Sequence, residues 1–225
     1  MLKEFISSVS IFNDLDDKTI SGIENLVSVR DYPKGSMVIL EEEFGDIVFI
    51  VMNGTVKITR VNDEGKEVIL AMLGEYEIFG EMAIIDGEAR SANALAQENC
   101  KLLAISSEDF IKILKDNFSV SLALMRELAK RLRKSDQHIE ALSLSDAEHR
   151  IGVSILNLAE EIGVIRRGKV TIENLPFQQD IANMSGTSRE TVSRILKLFE
   201  DRSLITKDGH KVLIPDYLYF KKCFG

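Results

Sequence analysis

Polar and charged side chains share one face of a predicted helix near residue 190, and their chemistry suits the edges of DNA bases. Arg189 and Arg194 carry planar guanidinium groups that can bind guanine O6 and N7. Glu190 can accept a hydrogen bond from cytosine N4, and Ser193 and Lys197 complete the face. A solvated helix face held by ordinary i, i+4 pairs is the alternative for such a stripe.

The residues around this face supply a core and a turn, which favours DNA reading. An apolar stripe at helical spacing predicts burial of the opposite side and consists of Val192, Ile195, Leu196 and Phe199. Ile181 and Ala182 give a preceding helix a buried side, and Gly186 supplies the turn. Either Thr187 or Ser188 can cap the second helix. The pattern predicts a helix-turn-helix that contacts DNA through Ser188 and the polar face.

A second cluster combines groups that suit a sugar and a phosphate. Gly80 lets the backbone approach a ligand, and the Glu81 carboxylate can accept from a sugar hydroxyl. Met82 follows in the same candidate site. Arg90 can make paired, charge-assisted hydrogen bonds to phosphate, with the Ser91 hydroxyl beside it. A plain salt bridge between Glu81 and Arg90 is the alternative.

The composition indicates a soluble chain with room for two cores, since 45% of its 225 residues are apolar and 28% are charged. Its longest apolar run, residues 47–52, is far shorter than the roughly 20 residues that span a bilayer. The first residues are too acidic for a signal peptide. We therefore expect a cytoplasmic protein that does not associate with membranes.

Cysteine and histidine are scattered, which argues against a metal site. Cys100 and Cys223 are too few for a disulfide framework, a zinc site or an iron-sulfur cluster, and the 3 histidines lie far apart. No nucleophile and base stand in a recognisable arrangement, so we expect no catalytic residues, no bound metal and no prosthetic group.

The net charge of −8 is unevenly distributed. Residues 146–225 contain 12 Lys and Arg against 11 Asp and Glu, whereas the preceding residues contain 16 against 25. The acidic excess therefore lies away from the predicted helix-turn-helix. This asymmetry permits a locally positive surface for DNA.

Short β-branched runs separated by turn residues extend from about residue 27 to residue 105 and predict a β-roll or barrel. These runs are residues 37–40, 46–52, 55–61, 67–73, 93–96 and 101–105. Asn53-Gly54 and residues 63–65 lie between runs, where hairpins need residues tolerant of positive φ. Residues 15–27 predict a short helix before the first run.

A long helical stretch over residues 107–144, interrupted near Asn117, follows the strands. Its second half carries an apolar stripe suited to a partner helix, which predicts a dimer. The stripe consists of Leu124, Leu128, Leu132, Ile139 and Leu142. Ser135 is a polar residue on this face and could serve close helix packing. Residues 143–148 are short and polar enough for a hinge.

The remaining residues predict a winged helix-turn-helix. A helix over residues 150–162 precedes a hairpin through Arg167-Gly168, and a second hairpin through Asp208-Gly209 follows the helix-turn-helix. The chain thus reads as an α+β protein of three parts. We place a sensor domain at residues 1–118, a dimerisation helix and hinge at residues 119–145, and a DNA-binding domain at residues 146–225.

Two segments resemble those of a known family. Residues 80–92, GEMAIIDGEARSA, resemble the phosphate-binding cassette of cyclic-nucleotide-binding domains. Residues 185–197, SGTSRETVSRILK, resemble the recognition element of the CRP/FNR superfamily of bacterial transcription regulators, named after the cyclic AMP receptor protein. The resemblance covers nearly the whole chain in order. It implies a jelly-roll-like cyclic-nucleotide-binding β-roll, a long dimerisation helix, a hinge and a winged helix-turn-helix.

The resemblance also implies roles for the residues of the second cluster. Glu81 would contact the ribose 2′-hydroxyl, while Arg90 and Ser91 would hold the cyclic phosphate. Gly80 would permit the close approach of the ligand. The effector would then be a cyclic nucleotide rather than a prosthetic group.

The choice of nucleotide depends on two residues of the long helix. In the family a hydroxyl residue at the position of Ser135 meets the base, and the next residue reaches the base from the other subunit. Asp136 stands here in place of the expected serine. A carboxylate can accept from the adenine amino group, but it matches the adjacent N1–H and N2–H2 donors of guanine better. We expect cyclic AMP first and cyclic GMP second.

Two further departures from the family pattern concern a loop and the DNA helix. Tyr76 replaces a glycine that the family often has before Phe79, outside the ligand-contact positions. Arg189, Glu190 and Arg194 match the cyclic AMP receptor pattern, whereas Ser193 matches the redox branch of the family. We expect a DNA half-site that resembles TGTGA. The base at the position that Ser193 contacts is expected to differ.

The resemblance implies a homodimer that binds double-stranded DNA and contacts RNA polymerase. Ligand in the roll would favour one arrangement of the long helices and thereby set the spacing of the two recognition helices for half-sites roughly 34 Å apart. One alternative keeps the fold and the DNA binding but needs no effector, or a different small ligand. Two further alternatives are a nucleotide-binding module that acts on protein partners and an enzyme. The helix-turn-helix disfavours the first, and the lack of catalytic motifs disfavours the second.

Overall fold

The computed structural model describes residues 2–225, which form two compact units. Unit 1 runs to Arg60 and then from Leu73 to Arg133. Unit 2 comprises Val61–Met72 and Lys134–Gly225. The chain therefore divides inside the long helix, and residues 61–72 group with the C-terminal part. The three-part division at residues 118 and 145 stays a prediction. Within the described residues, no helix is long and apolar enough to cross a membrane.

The first half of the chain folds into strands framed by helices. Its helices are α1 (Leu2–Ser8), α2 (Asp17–Glu24), α3 (Met82–Asp86), α4 (Ser107–Asp116) and α5 (Phe118–Leu144). Its strands are β1 (Val27–Tyr32), β2 (Met37–Ile39), β3 (Ile47–Asn53), β4 (Val56–Val61), β5 (Glu67–Leu73), β6 (Ile78–Phe79), β7 (Asn93–Ala96) and β8 (Cys100–Ser106). The break near Asn117 is confirmed.

The C-terminal part combines four helices with four short strands. The helices are α6 (Ala147–Glu161), α7 (Gln178–Ser185), α8 (Arg189–Asp201) and α9 (Tyr217–Phe224). The strands are β9 (Val164–Arg166), β10 (Lys169–Ile172), β11 (Thr206–Asp208) and β12 (Lys211–Ile214). They pair as one antiparallel sheet in the order β11-β12-β10-β9, and both predicted hairpins are present.

Two four-stranded sheets form the predicted roll, in the orders β1-β8-β3-β6 and β2-β7-β4-β5. In the first sheet β8 is central and pairs antiparallel with both β1 and β3, so that Ile105 lies opposite Val27 on one side and Val48 on the other. In the second sheet β4 pairs with β7 through Val56 and Ala96. The predicted class, an α+β chain with an N-terminal roll, is confirmed. We missed β1 because four of its six residues are exposed and give no apolar signal.

The core of unit 1 lies where helices cover the strands. Phe12 and Phe110 are fully buried among apolar residues of α1, α2, β3 and β8. Ser106 fixes the start of α4, because its hydroxyl accepts from the Asp109 amide at 3.1 Å. The start of α5 joins the same core through Val120. The start of the long helix is thereby fixed to unit 1.

The core of unit 2 depends on a C-terminal helix that the sequence analysis did not predict. Phe220 and Phe224 of α9 pack against Phe199 of α8, with ring centroids 6.1 and 5.1 Å away. A side chain at Gly152 of α6 would overlap the Phe224 ring. Since aromatic side chains bury a large apolar area, α9 closes the core beneath the recognition helix.

The predicted hinge is shorter than residues 143–148. The helix α5 continues to Leu144, and Asp146 already caps α6 by accepting from the His149 amide at 2.9 Å. The predicted start of this helix, Arg150, is three residues late, because Asp146 caps the helix and Ala147 is its first residue. Only Ser145 and Asp146 lie between the two helices.

We predict that Gly186→Ala destabilises the chain by about 1–2 kcal/mol, because Gly186 has φ +58° and an L side chain there is strained. The new Cβ would also lie 3.0 Å from Leu142 Cδ2. Urea unfolding of both proteins measures the difference in the free energy of unfolding. Gly22→Ala is the control, because Gly22 is an exposed residue of α2 with open space around it. That variant should be stabilised by up to about 1 kcal/mol. Equal effects of the two substitutions would contradict the prediction.

Candidate functional site

The turn between β6 and α3 brings the predicted sugar-binding residues to a buried position. Gly80 has φ +78°, a conformation that favours glycine. A side chain at Gly80 would lie 2.9 Å from Ile39 Cδ1 and 2.8 Å from Arg90 Nη1. Glu81 follows and is only 1% exposed. The glycine therefore allows Glu81 and Arg90 to lie close to the same backbone turn.

Arg90 is buried, and protein carbonyls hold its guanidinium group. Its Nη1 donates to Gly80 O, and its Nη2 donates to Ile47 O at 2.7 Å. A guanidinium group has five N–H donors in a fixed planar geometry, and these two bonds use two of them, so further donors can bind the oxygens of a phosphate. Burial lowers the pKa of Arg90, and the carboxylates of Asp46 and Glu81 oppose this shift. The group stays charged and suits an anion.

Gly45 makes room for this guanidinium group and was missed in the sequence analysis. A side chain at Gly45 would overlap the Arg90 guanidinium. The loop before β3 also pairs with the backbone of Arg90, since Arg90 N donates to Glu43 O and Arg90 O accepts from Glu42 N, both at 2.9 Å. The Gly45-Asp46 step before an apolar strand was the available sequence signal.

Glu81 forms an ion pair with Arg131 of α5, and not the predicted alternative bridge to Arg90. Arg131 Nη1 lies 3.0 Å from Glu81 Oε1, and Arg131 Nη2 donates to Ile78 O at 2.6 Å. Burial raises the pKa of the Glu81 carboxyl, although Arg131 opposes the shift. Arg131 belongs to the site but was not predicted. It lies 50 residues from Glu81, and no local pattern signals the pair.

We predict that Glu81→Gln weakens the dependence of stability on pH. The folded chain holds the pKa of Glu81 above its ordinary value, so this carboxyl contributes stability at low pH that is lost as pH rises through the folded pKa. Glutamine cannot ionise. Urea unfolding at about pH 4 and about pH 7 should therefore show a smaller loss of stability on going to pH 7 in the variant than in the unmodified protein. Glu64→Gln in an exposed turn is the control, and equal losses in all three proteins would contradict the prediction.

The other predicted ligand residues are accessible. Met82 is half exposed at the start of α3, and Ser91 is exposed directly after Arg90. Ser135 and Asp136 are both exposed on α5 and belong to unit 2, whereas the other ligand residues belong to unit 1. The structure thus brings Gly80, Glu81 and Arg90 together within unit 1.

Tyr76 has a backbone conformation that explains the glycine of the family at this position. Its φ is +72°, which an L residue adopts at a cost. The ring stacks on Phe5 with a centroid distance of 5.1 Å, and the amide donates to Val51 O at 2.8 Å. The loop keeps the glycine geometry despite the tyrosine.

The helix-turn-helix is formed as predicted by α7, Gly186 and α8. The predicted apolar stripe of α8 is buried, and so are Ile181 and Ala182 of α7. Ser188, and not Thr187, caps α8, because its hydroxyl accepts from the Thr191 amide at 3.2 Å. Buried hydroxyls tie α7 to α6, with Ser185 Oγ 2.8 Å from Ser154 Oγ.

The polar face of α8 is fully presented to solvent. Its exposed members are Ser188, Arg189, Glu190, Ser193, Arg194 and Lys197. Lys197 forms an i, i+4 ion pair with Asp201 at 3.1 Å, which is the arrangement expected of an ordinary helix surface. Arg189 and Arg194 keep their guanidinium groups exposed in the first two turns, the part of a recognition helix that reaches base edges.

The structure corrects one residue of the predicted dimer stripe. Leu124 is 4% exposed and packs in the core of unit 1, so it cannot meet a partner, and Leu128 is partly buried against the same core. Met125 is 53% exposed and takes the place of Leu124. Leu132, Ile139 and Leu142 are exposed, at 64%, 61% and 44%. The exposed stripe is Met125, Leu132, Ser135, Ile139 and Leu142, with the spacing of a two-stranded coiled coil.

An open cleft of unit 1 is lined by residues of the loop before β3, α3 and α4, including Phe44, Ile84 and Lys112. Gly45 and Asp46 also line this cleft, so it adjoins the Arg90 site, although neither Glu81 nor Arg90 is among its lining residues. Among residues 2–225, no group of three or more His, Cys, Asp or Glu side chains is arranged for a metal ion.

Two family profiles match the chain in the order of its units. The cyclic nucleotide-binding domain matches residues 29–117, and the Crp-like helix-turn-helix domain matches residues 150–222. A cyclic-nucleotide-binding domain followed by a helix-turn-helix domain defines the class of a DNA-binding regulator with a nucleotide-binding domain.

Whole-chain relatives agree with both matches. The CRP-like cAMP-activated global transcriptional regulator of Mycobacterium tuberculosis is 30% identical over 215 residues, which cover 96% of each chain. The cyclic AMP receptor protein of Thermus thermophilus is 34% identical over 176 residues, or 78% of each chain. The structure of FixK2 from Bradyrhizobium japonicum covers 88% of this chain and 98% of its own, with a TM-score of 0.78 and 19% identity, and shows the same fold.

The chain belongs to the CRP/FNR superfamily of transcription regulators. It is a DNA-binding regulator with a cyclic-nucleotide-binding domain, from a family of regulators and not of enzymes.

Proposed function

We propose that this chain is a cytoplasmic, homodimeric transcription regulator whose affinity for DNA is controlled by a cyclic nucleotide in the roll. The observation that carries the proposal is the buried, charged Arg90 beside Gly80 and Glu81, in a chain that also exposes Arg189 and Arg194 on a recognition helix. A buried guanidinium group suits a cyclic phosphate, because its N–H donors can make paired, charge-assisted hydrogen bonds. The exposed Ser91 hydroxyl adds a further donor beside it.

Cyclic AMP is the proposed ligand, and cyclic GMP is the second choice. Relatives described as activated by cAMP cover almost the whole chain, which supports cyclic AMP. Ser135 and Asp136 are exposed on α5, as contacts to a base require. The Asp136 carboxylate can accept a hydrogen bond from the adenine amino group, or two hydrogen bonds from N1–H and N2–H2 of guanine. Because guanine offers the second bond, cyclic GMP stays a candidate.

The proposed DNA target is a palindrome with half-sites like TGTGA. Two arginines and a glutamate on α8 supply the donors and the acceptor that read guanine and cytosine. Ser193 is exposed between them and can contact a neighbouring base, where departures from TGTGA are expected. Double-stranded DNA, a second copy of the chain and RNA polymerase are the proposed partners.

We predict that Leu132→Glu converts the dimer to a monomer at micromolar concentration. Leu132 is a large apolar side chain exposed on a stripe with coiled-coil spacing, and a buried unpaired charge there opposes association. Light scattering after size-exclusion chromatography gives the mass, with 25.2 kDa expected for the monomer. Gln137→Glu adds the same charge at an exposed position away from the stripe and should leave the dimer intact. A dimeric Leu132→Glu variant would contradict the proposed interface.

The function is tested by fluorescence anisotropy with a labelled palindromic TGTGA duplex. Binding is measured without nucleotide, with cyclic AMP and with cyclic GMP, and a scrambled duplex reports nonspecific binding. Tighter binding with one nucleotide supports the proposal and identifies the ligand. Equal affinity in all three conditions refutes nucleotide control.

A second candidate function is favoured by one observation. Arg90 already donates to two carbonyl oxygens, and Glu81 is already paired with Arg131, so both side chains already have partners within the protein. A regulator that needs no effector, or that takes a different small ligand, would retain this arrangement. Strong, nucleotide-independent binding to the specific duplex would select this alternative.

A further inference from the structure

An ion-pair network within unit 2 connects the long helix α5 with the C-terminal end of α6. Lys134 Nζ lies 3.5 Å from Glu161 Oε1 and 3.7 Å from Glu160 Oε2. Lys134 directly precedes Ser135 and Asp136, the proposed contacts to the nucleotide base. Because a helix rises only about 1.5 Å per residue and is stiff, a shift of Ser135 or Asp136 also moves Lys134.

The two carboxylates also hold other segments of unit 2. Glu161 Oε2 accepts from the amide of Met72 at 3.4 Å, and Met72 packs in the core of the unit with 1% exposure. Glu160 Oε1 accepts from Lys221 Nζ at 2.9 Å and from Tyr217 Oη at 3.1 Å. The network therefore joins α5, β5, α6 and α9.

Lys134 cannot leave this position without cost. The Glu161 side chain is 11% exposed, so its charge depends on the nearby cation. Burial raises the pKa of Glu161, and Lys134 is the first of the groups that oppose the shift. A shift of α5 that takes the Lys134 ammonium out of reach leaves the buried Glu161 carboxylate without this cation, and this cost favours an arrangement of α6 that keeps the pair.

The helix α6 passes such a displacement to the recognition element. Arg150 Nε donates to Ser185 O at 2.9 Å, and Ser154 Oγ lies 2.8 Å from Ser185 Oγ. Ser185 is the last residue of α7 and is completely buried. These hydrogen bonds join α6 to the end of α7, directly before the turn that leads to α8.

We infer that the contact between Lys134 and Glu161 couples nucleotide binding to DNA affinity. The inference rests on the proposed function, because it needs a ligand that contacts Ser135 or Asp136. Lys134 and Glu161 are positioning residues, since they act through α6 and touch neither nucleotide nor DNA in the proposed complex.

The test compares Lys134→Met, Glu161→Gln and the double variant with the unmodified chain. Anisotropy gives the DNA Kd with and without cyclic AMP, or cyclic GMP if that ligand proves active, and calorimetry gives the nucleotide Kd. The DNA Kd without nucleotide divided by the DNA Kd with nucleotide gives the coupling ratio. This ratio should fall by about 3- to 30-fold in each variant. The nucleotide Kd should change by less than about threefold. Thermal unfolding confirms that each variant is folded, and Glu161→Gln preserves the shape of the side chain.

Lys130→Met is the matched control, because Lys130 lies one turn earlier on α5 and pairs within that helix, with Glu127 at 3.8 Å. It should keep the unmodified ratio. The double variant should match the single variants, because all three lack the contact between Lys134 and Glu161.

Each outcome decides the inference. Variants that keep the unmodified ratio would overturn the inference and leave the proposed function intact. A ratio of one in the unmodified chain would refute nucleotide control itself, and the inference with it. A double variant whose loss equals the product of the single losses would show that the two side chains act separately, which also overturns it.

Discussion

Arg90→Ala should lower the affinity for the cyclic nucleotide by about 100-fold or more. Each charge-assisted hydrogen bond contributes about 1.5–3 kcal/mol, and a paired contact to phosphate contributes two of them. The buried position of Arg90 keeps water from replacing the lost contact. Calorimetry with cyclic AMP and cyclic GMP measures the loss, and anisotropy shows whether the effect of the nucleotide on DNA binding disappears with it.

Two controls separate binding from folding in this prediction. Arg90 also bonds Gly80 O and Ile47 O, so circular dichroism and thermal unfolding must show that the variant is folded. Arg60→Ala removes an arginine that is 62% exposed and paired with Glu41, and it should leave nucleotide affinity unchanged. If a folded Arg90→Ala variant keeps the nucleotide affinity of the unmodified protein, the phosphate does not bind at Arg90 and the proposed site is wrong.

Arg194→Ala should weaken binding to the specific duplex by about 10- to 100-fold. A guanidinium group that grips guanine O6 and N7 contributes about 1–3 kcal/mol of discrimination. Arg194 is exposed on α8, so its removal leaves the core of unit 2 intact. Anisotropy with the TGTGA duplex and with duplexes substituted at each position identifies the base that Arg194 reads, because specificity should relax at that position alone.

Arg202→Ala is the matched control for this prediction. Arg202 has the same charge and caps the far end of α8, where it pairs with Glu148 at 2.6 Å. Its removal should reduce affinity slightly and equally for all sequences, as expected for a general electrostatic effect. If both variants weaken binding equally and without sequence preference, α8 does not read bases through Arg194.

The recognition helix was predictable because its signals are local. Val192, Ile195, Leu196 and Phe199 lie within eight residues at helical spacing, and a helix that buries one side must expose the other. Gly186 has the positive φ that a tight turn needs. The residues of Gly80-Glu81 and Arg90-Ser91 were found through short motifs in the same way.

Other features depend on parts of the chain that are distant in sequence. Leu124 and Met125 both fit an apolar stripe, and the packing of α5 on the core of unit 1 decides that Leu124 is buried and Met125 exposed. Adjacent residues point about 100° apart around a helix, so when Leu124 faces the core, Met125 lies on the exposed side. The sequence pattern could not resolve this difference.

The sequence by itself determined the class of fold, the helix-turn-helix with its exposed polar face and the residues of the proposed phosphate site, because each depends on residues close together along the chain. Only the tertiary structure decided the partners of the buried charges. Arg131 pairs with Glu81, Lys134 pairs with Glu161, and residues 61–72 join the core of unit 2. A buried charge is stabilised by an opposite charge that the fold brings close to it, and the two residues can be far apart in the sequence. Spacing along the chain therefore does not predict such a pair.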